Sequence, residues 1–71
     1  MDDQKELEIK SELAVIREAI IKSGGDPAKQ LASYILSEDP IYIPDIDRAR
    51  SIARRLDAAE ILYELISEYF D

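Results

Sequence analysis

The stretch LSEDPIYIP, residues 36–44, interrupts a chain whose other long segments all have the apolar spacing of helices. Pro40 and Pro44 each fix the backbone φ angle and remove one N–H donor, so no helix can continue through them. The three residues between the two prolines are too few to make a sheet. We therefore predict an all-α fold in which this connector is extended and lies across the helices.

The connector is predicted to fill part of the hydrophobic core. Two isoleucines and a tyrosine left in water within one loop would form an exposed apolar patch. A recognition loop for a peptide or ligand is the alternative interpretation. The predicted structural plug consists of Pro40, Ile41, Tyr42, Ile43 and Pro44.

The first helix, predicted from about Lys5 to Lys22, carries two apolar stripes. The first stripe is Ile9, Leu13, Ile16 and Ile20, and the second is Leu7, Ala14 and Ile21. A surface helix of a monomer needs only one apolar face. The second stripe indicates either a partner chain or a central helix surrounded by its own neighbours, and both interpretations stay open.

Three shorter helices are predicted after a Gly-Gly pair that ends the first. Asp26 followed by Pro27 has the pattern of an N-cap and a first helical residue, so a second helix begins there. Because Pro40 disfavours helix at the residue before it, the second helix must stop earlier. A third helix is expected with Asp45 or Asp47 as its N-cap.

A fourth helix is expected from about Ala58, because Asp57 and Glu60 have the spacing of a capping box. One bent helix over residues 46–70 is the alternative. The predicted inward positions are Leu31, Tyr34 and Ile35 in the second helix, Ile46, Ala49, Ile52, Ala53 and Leu56 in the third, and Ile61, Leu62, Leu65, Ile66, Tyr69 and Phe70 in the fourth. The predicted fold is a small bundle of about four helices, one helical domain over residues 1–71 with a flexible amino terminus at residues 1–4.

Length and composition indicate that the chain associates with another. A chain of 71 residues builds one thin core and usually needs a disulfide, a metal or a partner chain. With no cysteine and no histidine, disulfides are impossible and the usual structural zinc ligands are missing. We therefore predict a homodimer with no metal and no cofactor.

Charge and hydropathy exclude several partner classes. A net charge of −7 and a pI near 4.4 argue against nucleic acid, whose phosphates require clustered lysine and arginine. No apolar run approaches the roughly 20 residues that span a bilayer. The amino terminus is acidic where a secretory signal would be basic. A cytoplasmic protein without a membrane partner is expected.

The segments QLASYILSEDPIYIP, ARSIARRL and EILYELISEYF resemble the signature of the IreB/ReoM family of small regulatory phosphoproteins of Gram-positive bacteria. The resemblance runs without gaps from about Leu13 to Phe70. It implies an all-helical homodimer without catalytic activity, acting downstream of a PASTA-type Ser/Thr kinase on the proteolysis of an early peptidoglycan-synthesis enzyme. The shared positions include Gly24, Pro27, Gln30, Tyr34, Leu36, Ser37, Asp39, Pro40, Tyr42, Ile43, Pro44, Ala49, Arg50, Arg54, Glu60, Ile61, Glu64, Leu65 and Tyr69.

The sequence also departs from the family pattern. The family is phosphorylated on threonine in an amino-terminal tail, but this sequence contains no threonine, so no phosphoacceptor can be assigned from the resemblance. Ser11 is the nearest hydroxyl and lies within a predicted helix. Glu38 replaces a family glycine, Gly25 replaces a tyrosine, and Asp45 and Ala58 stand where the family has arginine.

The predicted partner-binding residues are Arg50 and Arg54, with Arg48 and Arg55 beside them. Arg50 and Arg54 coincide with arginines of the family, and guanidiniums one helical turn apart can present paired donors to carboxylates or phosphates. The expected partners are a second copy of the chain and a regulatory protein, with a Ser/Thr kinase or a protease-system component as candidates. The alternative is that Arg50 and Arg54 pair with acidic residues of the same chain, such as Asp47, Asp57 or Glu60.

Two other functions were weighed from the residues. Glu60, Glu64 and Glu68 share a helical face, but without histidine, cysteine or a glycine-rich phosphate loop we interpret them as a solvated face and expect no enzyme activity. The arginine cluster follows a helix and a turn as in a helix-turn-helix, although the Pro-bracketed connector is longer than the usual turn. A small DNA-binding or generic dimerisation module is therefore the alternative function.

Overall fold

The computed structural model describes residues 3–70 and confirms the all-α prediction. These residues form four α-helices and no strand, and the helices pack into a compact globule. The helices are α1 (Asp3–Lys22), α2 (Pro27–Ser37), α3 (Ala49–Arg55) and α4 (Ala58–Phe70), with one 3-10 turn at Pro40–Tyr42. Of the predicted amino-terminal segment 1–4, Asp3 and Gln4 belong to α1, while residues 1 and 2 lie outside the described residues.

Helix α1 is the centre of the fold, since it packs against α2, α3 and α4. Its first predicted stripe is confirmed as core, with Ile16 and Ile20 fully buried. The second stripe is exposed, because Leu7 keeps 64% and Ile21 keeps 44% of its accessible surface. The neighbouring helices of the same chain therefore do not surround α1. The core residues are Ile9, Leu13, Ile16, Ala19, Ile20, Leu31, Tyr34, Ile43, Ala49, Ala53 and Ile61.

The turn from α1 to α2 forms as the sequence predicts. Gly24 adopts a φ of 84°, and the N–H groups of Gly24 and Gly25 donate to the carbonyls of Ile21 and Ile20. This pair of bonds is a Schellman motif, in which the left-handed residue is usually glycine. Asp26 then caps α2, because its Oδ1 accepts from the backbone N–H of the second residue of the helix at 3.0 Å.

The connector differs from its predicted extended form. Asp39 Oδ1 accepts from Ile41 N at 3.1 Å, and with Pro40 as the first residue the chain makes a 3-10 turn. Successive side chains of such a turn point about 120° apart, so they cannot all face the core. Ile43 is fully buried, but Ile41 is 71% and Tyr42 is 39% exposed. The plug interpretation therefore holds for Ile43 and is wrong for Ile41 and Tyr42.

Helix α3 begins differently from the prediction. Its N-cap residue is Arg48, which has a φ of 64° and makes no side-chain capping bond. Asp47 also has a positive φ, and its carboxylate accepts from Lys22 Nζ at 2.7 Å instead of capping the helix. The predicted capping roles of Asp45 and Asp47 are therefore wrong. Ile46 precedes the helix and is only partly buried.

Helices α3 and α4 are separate, so the single bent helix is excluded. Leu56 is extended at the end of α3, and Asp57 Oδ1 accepts from Ala59 N at 3.3 Å at the start of α4. The inward face predicted for α4 is largely wrong, because Ile61 alone among its six predicted positions is buried. The five exposed positions are Leu62, Leu65, Ile66, Tyr69 and Phe70.

Candidate functional site

An apolar groove lies between α1, α2 and α4. It has a volume of about 640 Å³, and its lining is mostly aliphatic. The main apolar lining residues are Leu13, Ala14, Leu31, Ile35, Leu62 and Leu65. The groove exists because α2 and α4 each pack on α1 and diverge from one another. Its size lies in the range of ligand and peptide sites.

The exposed side of α4 continues the apolar surface of the groove. Leu62 and Leu65 line the groove, and Ile66 lies beside them with 47% of its surface exposed. At the end of the helix the rings of Tyr69 and Phe70 are 83% and 78% exposed and meet edge to face at 5.0 Å. A contiguous exposed apolar surface of this kind marks an interaction site on a folded protein.

Glu64 is a buried carboxylate in the wall of the groove. It is 2% exposed, which contradicts the prediction of a solvated face for this residue. Lys10 Nζ lies 3.7 Å from its Oε1, while its Oε2 is buried without a hydrogen-bond partner. A buried charge is stable only when it is paired and hydrogen-bonded. Oε2 is therefore a buried acceptor without a hydrogen-bond partner among the described residues.

The other two glutamates of that row pair with lysines of α1. Lys5 Nζ lies 3.0 Å from Glu60 Oε2, and the bond to Lys5 lowers the pKa of Glu60 against the opposing effect of burial. Lys10 Nζ lies 3.0 Å from Glu68 Oε1, which raises the pKa of Lys10. The acidic row of α4 therefore fixes α4 on α1.

The predicted arginine site is divided by the structure. Arg50 Nε donates to Ile43 O at 2.9 Å, and Arg55 donates to Glu12 Oε2 at 3.1 Å. Arg48 and Arg54 are exposed and form no ion pair with the residues that the structure describes. The four arginines are thus close in the sequence, but Arg50 and Arg55 already bond to other residues of the fold.

The alternative, in which Arg50 and Arg54 pair with acidic groups of the chain, is wrong for both arginines among the described residues. None of Asp47, Asp57 and Glu60 accepts from an arginine, since Asp47 and Glu60 pair with lysines and Asp57 caps α4. Arg55 does pair within the chain, with a glutamate of α1 that the sequence did not indicate. The arginine available to a partner on the outward face of α3 is Arg54.

The sequence carried one signal for the groove that prediction missed. Glu64 follows Ile61 by three residues and precedes Leu65, so it interrupts the apolar stripe of α4. A carboxylate at such a position faces the same side as its apolar neighbours. The prediction instead grouped Glu64 with Glu60 and Glu68, which lie four residues away on either side, and so assigned all three to a solvated face.

The described residues offer no group of three or more acidic, histidine or cysteine side chains able to hold a metal ion. A search of the same residues for a helix long and apolar enough to cross a bilayer found none. The fold instead presents an apolar groove, whose wall contains the carboxylate of Glu64 with one oxygen unpaired. It also presents helix α3, which carries the arginines and does not line the groove.

Fold and surfaces together define a small all-α protein with an exposed apolar groove, and comparison with known proteins gives its family. The family model described as "IreB regulatory phosphoprotein" matches residues 1–71. A UPF0297 protein of Ruminiclostridium cellulolyticum is 41% identical over 71 residues, which cover 100% of this chain and 81% of that protein. The chain belongs to the IreB family, as the resemblance in sequence indicated.

Proposed function

We propose that this protein is a non-catalytic cytoplasmic regulator that works as a homodimer and binds other proteins. The observation that carries the proposal is the apolar surface formed by the groove and the exposed side of α4. A thin core of eleven buried residues leaves six large apolar side chains of one helix, α4, exposed to water. The family description supports the regulatory role.

A second copy of the chain is the occupant that fits the groove. The rim carries both signs of charge, with Lys10 and Arg17 on α1 and Glu68 on α4. In a two-fold dimer each patch meets its own copy, so a surface bearing both signs can be self-complementary. The exposed side of α4 would fill the partner's groove, and Arg17 of a second copy would supply a donor for the orphaned Glu64 Oε2.

Family membership and the exposed arginine of α3 support a proposal for the specific regulatory role. We propose that the dimer acts in a Ser/Thr kinase pathway that controls peptidoglycan synthesis, through contact with the kinase or a component of a protease system. Arg54, which is exposed on α3, would bind an acidic or phosphorylated segment of that partner. DNA binding has less support, because Arg50 and Arg55 already bond within the fold.

Light scattering coupled to size exclusion tests the dimer. At micromolar concentration the mass is expected to be about twice 8.1 kDa. Leu65→Asp places a charge in the groove and should give the monomer mass. Leu36→Asp is the matched control, because Leu36 is 87% exposed outside the groove. A wild-type monomer, or equal effects of the two variants, contradicts the proposal.

Capture from native cytoplasm, read by mass spectrometry, tests the arginine surface. Wild-type bait is expected to retain a partner that Arg54→Ala bait loses, while both baits stay dimeric. Lys29→Ala is the control, since it removes one exposed positive charge from α2. If the lysine variant loses the same partner, net charge rather than Arg54 determines binding.

A further inference from the structure

The serine within the arginine helix has the surroundings of a modification site. The family description names a phosphoprotein, yet this sequence has no threonine and six serines. We propose that Ser51 is a phosphoacceptor and that phosphate on it closes the arginine surface of α3 to acidic partners. The effect on partners rests on the proposed function above, whereas the modification itself does not.

Three arginines lie three or four residues from Ser51 in the sequence. Its side chain is exposed, and its hydroxyl forms no hydrogen bond within the part of the chain that the structure describes. Arg48 precedes it by three residues, and Arg54 and Arg55 follow it by three and four. Arg54 and Arg55 share helix α3 with Ser51, and side chains at those spacings on a helix are neighbours about 5–6 Å apart at Cβ. Arg48 is the left-handed residue before the helix, so this spacing does not apply to it. A phosphate on Ser51 would thus lie beside Arg54, which has no other ion-pair partner among residues 3–70.

The other serines are poorer acceptors. Ser23 Oγ donates to Ile20 O at 2.8 Å, and Ser37 Oγ is bonded on both sides at the end of α2. Ser11 is exposed, but Glu8 and Glu12 surround it, so a phosphate there would meet like charge. The remaining two serines are half-buried. Accessibility and charge together single out Ser51.

The reaction is an ordinary phosphoryl transfer. A protein kinase would move the γ-phosphoryl group of a nucleoside triphosphate to Ser51 Oγ, forming an O–P bond and breaking the bond to the bridging oxygen. A nucleoside diphosphate leaves, and the hydroxyl proton passes to a kinase base. Helix α3 carries three arginines and no acid, so its charge of +3 would fall to about +1. Arg54 would donate to the phosphate instead of to a partner's carboxylate.

Direct phosphorylation of the folded chain tests the acceptor. The protein is incubated with magnesium ATP and a Ser/Thr kinase that selects arginine three residues before its acceptor. Intact mass should rise by one phosphoryl group, located on Ser51 by peptide mapping. Ser51→Ala should abolish the rise, Arg48→Gln should slow it about tenfold, and Ser11→Ala should leave it unchanged. No labelling of the folded protein, or labelling of another serine, overturns the proposal.

Phosphorus NMR tests the contact with Arg54. Phosphoserine is installed at position 51 in one protein and at position 11 in another. The second pKa of the phosphate, ordinarily about 6, should be lower at position 51 than at position 11. Arg54→Gln should raise the value at position 51 alone, and equal values at both positions overturn the contact. If Ser51 is labelled but its phosphate does not weaken partner capture, the partner surface is misplaced while the modification stands.

Discussion

Lys10 Nζ lies between two carboxylates of α4, 3.0 Å from Glu68 Oε1 and 3.7 Å from Glu64 Oε1. Glu68 is largely in water, whereas Glu64 is buried with one oxygen unpaired. One exposed ammonium is therefore the only charge partner of a buried carboxylate within the described chain. We expect this arrangement to stabilise the contact of α4 with α1 less than an apolar pair would.

The first prediction follows from that pair. Lys10→Met removes the charge partner of Glu64 and should lower the midpoint of urea unfolding. Adding Glu64→Leu to that variant should restore or exceed the wild-type midpoint, because leucine completes the apolar stripe of α4. Lys29→Met is the control for loss of one exposed lysine and should change little. A double variant no more stable than Lys10→Met alone would contradict this account of Glu64.

The second prediction concerns the connector. Ile43→Ala should reduce the free energy of unfolding by about 2–5 kcal/mol, because Ile43 is fully buried. Tyr42→Ala should cost less, since the ring is 39% exposed and the residue's carbonyl, which accepts from Gln30 Nε2, is retained. Urea unfolding of both variants measures the difference. If Tyr42→Ala is less stable than Ile43→Ala, the prediction from sequence that the tyrosine fills the core is correct.

Sequence predicted what depends on neighbouring residues. The buried stripe of α1 and the cap at Asp26 follow from helical periodicity and from a local Asx–Pro pattern. The same Asx–Pro pattern at Asp39 and Pro40 starts the 3-10 turn, whereas the prediction interpreted it only as the end of the second helix. The bond from Arg50 to Ile43 O could not be predicted, because it depends on the exact path of the connector. The exposure of the apolar face of α4 could not be predicted either. Helical periodicity identifies an apolar face but does not show whether another element covers it.

The third prediction uses the strained end of α2. Glu38 has a φ of 56°, and this is the position at which the family pattern has glycine. A non-glycine residue in this conformation costs roughly 1–2 kcal/mol, part of which glycine loses again through entropy of the unfolded chain. Glu38→Gly should therefore raise the free energy of unfolding by about 0.5–1 kcal/mol. Glu38→Ala keeps the strained backbone and should not raise the free energy of unfolding. A rise equal to that of Glu38→Gly would show that the effect comes from removal of the charge.

The fourth prediction concerns acid. The bond to Lys5 lowers the pKa of Glu60 from its usual 4.5. A carboxyl whose pKa is lower in the folded state contributes stability that is present above its unfolded pKa and is lost as the pH falls through the folded one. NMR titration of the Glu60 carboxyl carbon should show a midpoint below 4.5 that rises in Lys5→Gln. Lys22→Gln removes the same charge beside Asp47 and should leave the Glu60 midpoint unchanged.

The last prediction separates fold from binding within α3. Arg50 is half-buried and its Nε donates to Ile43 O at 2.9 Å, so Arg50→Ala leaves a carbonyl of the core segment without this donor. We expect a loss of about 1–3 kcal/mol in the free energy of unfolding. Arg50→Lys should recover little of it, because an ammonium cannot reproduce the position of Nε in the guanidinium plane.

Arg54→Ala is the matched control, since Arg54 is exposed one turn further along the same helix. Its melting temperature should stay near that of the wild type while partner capture is lost. The prediction from sequence places Arg50 and Arg54 on one binding surface and therefore expects the two alanine variants to behave alike. The bond from Arg50 to Ile43 is the reason to expect different effects on stability. Equal destabilisation by the two alanine variants would show that Arg54 also supports the fold, and the interaction surface would then have to be sought on the groove side of α4.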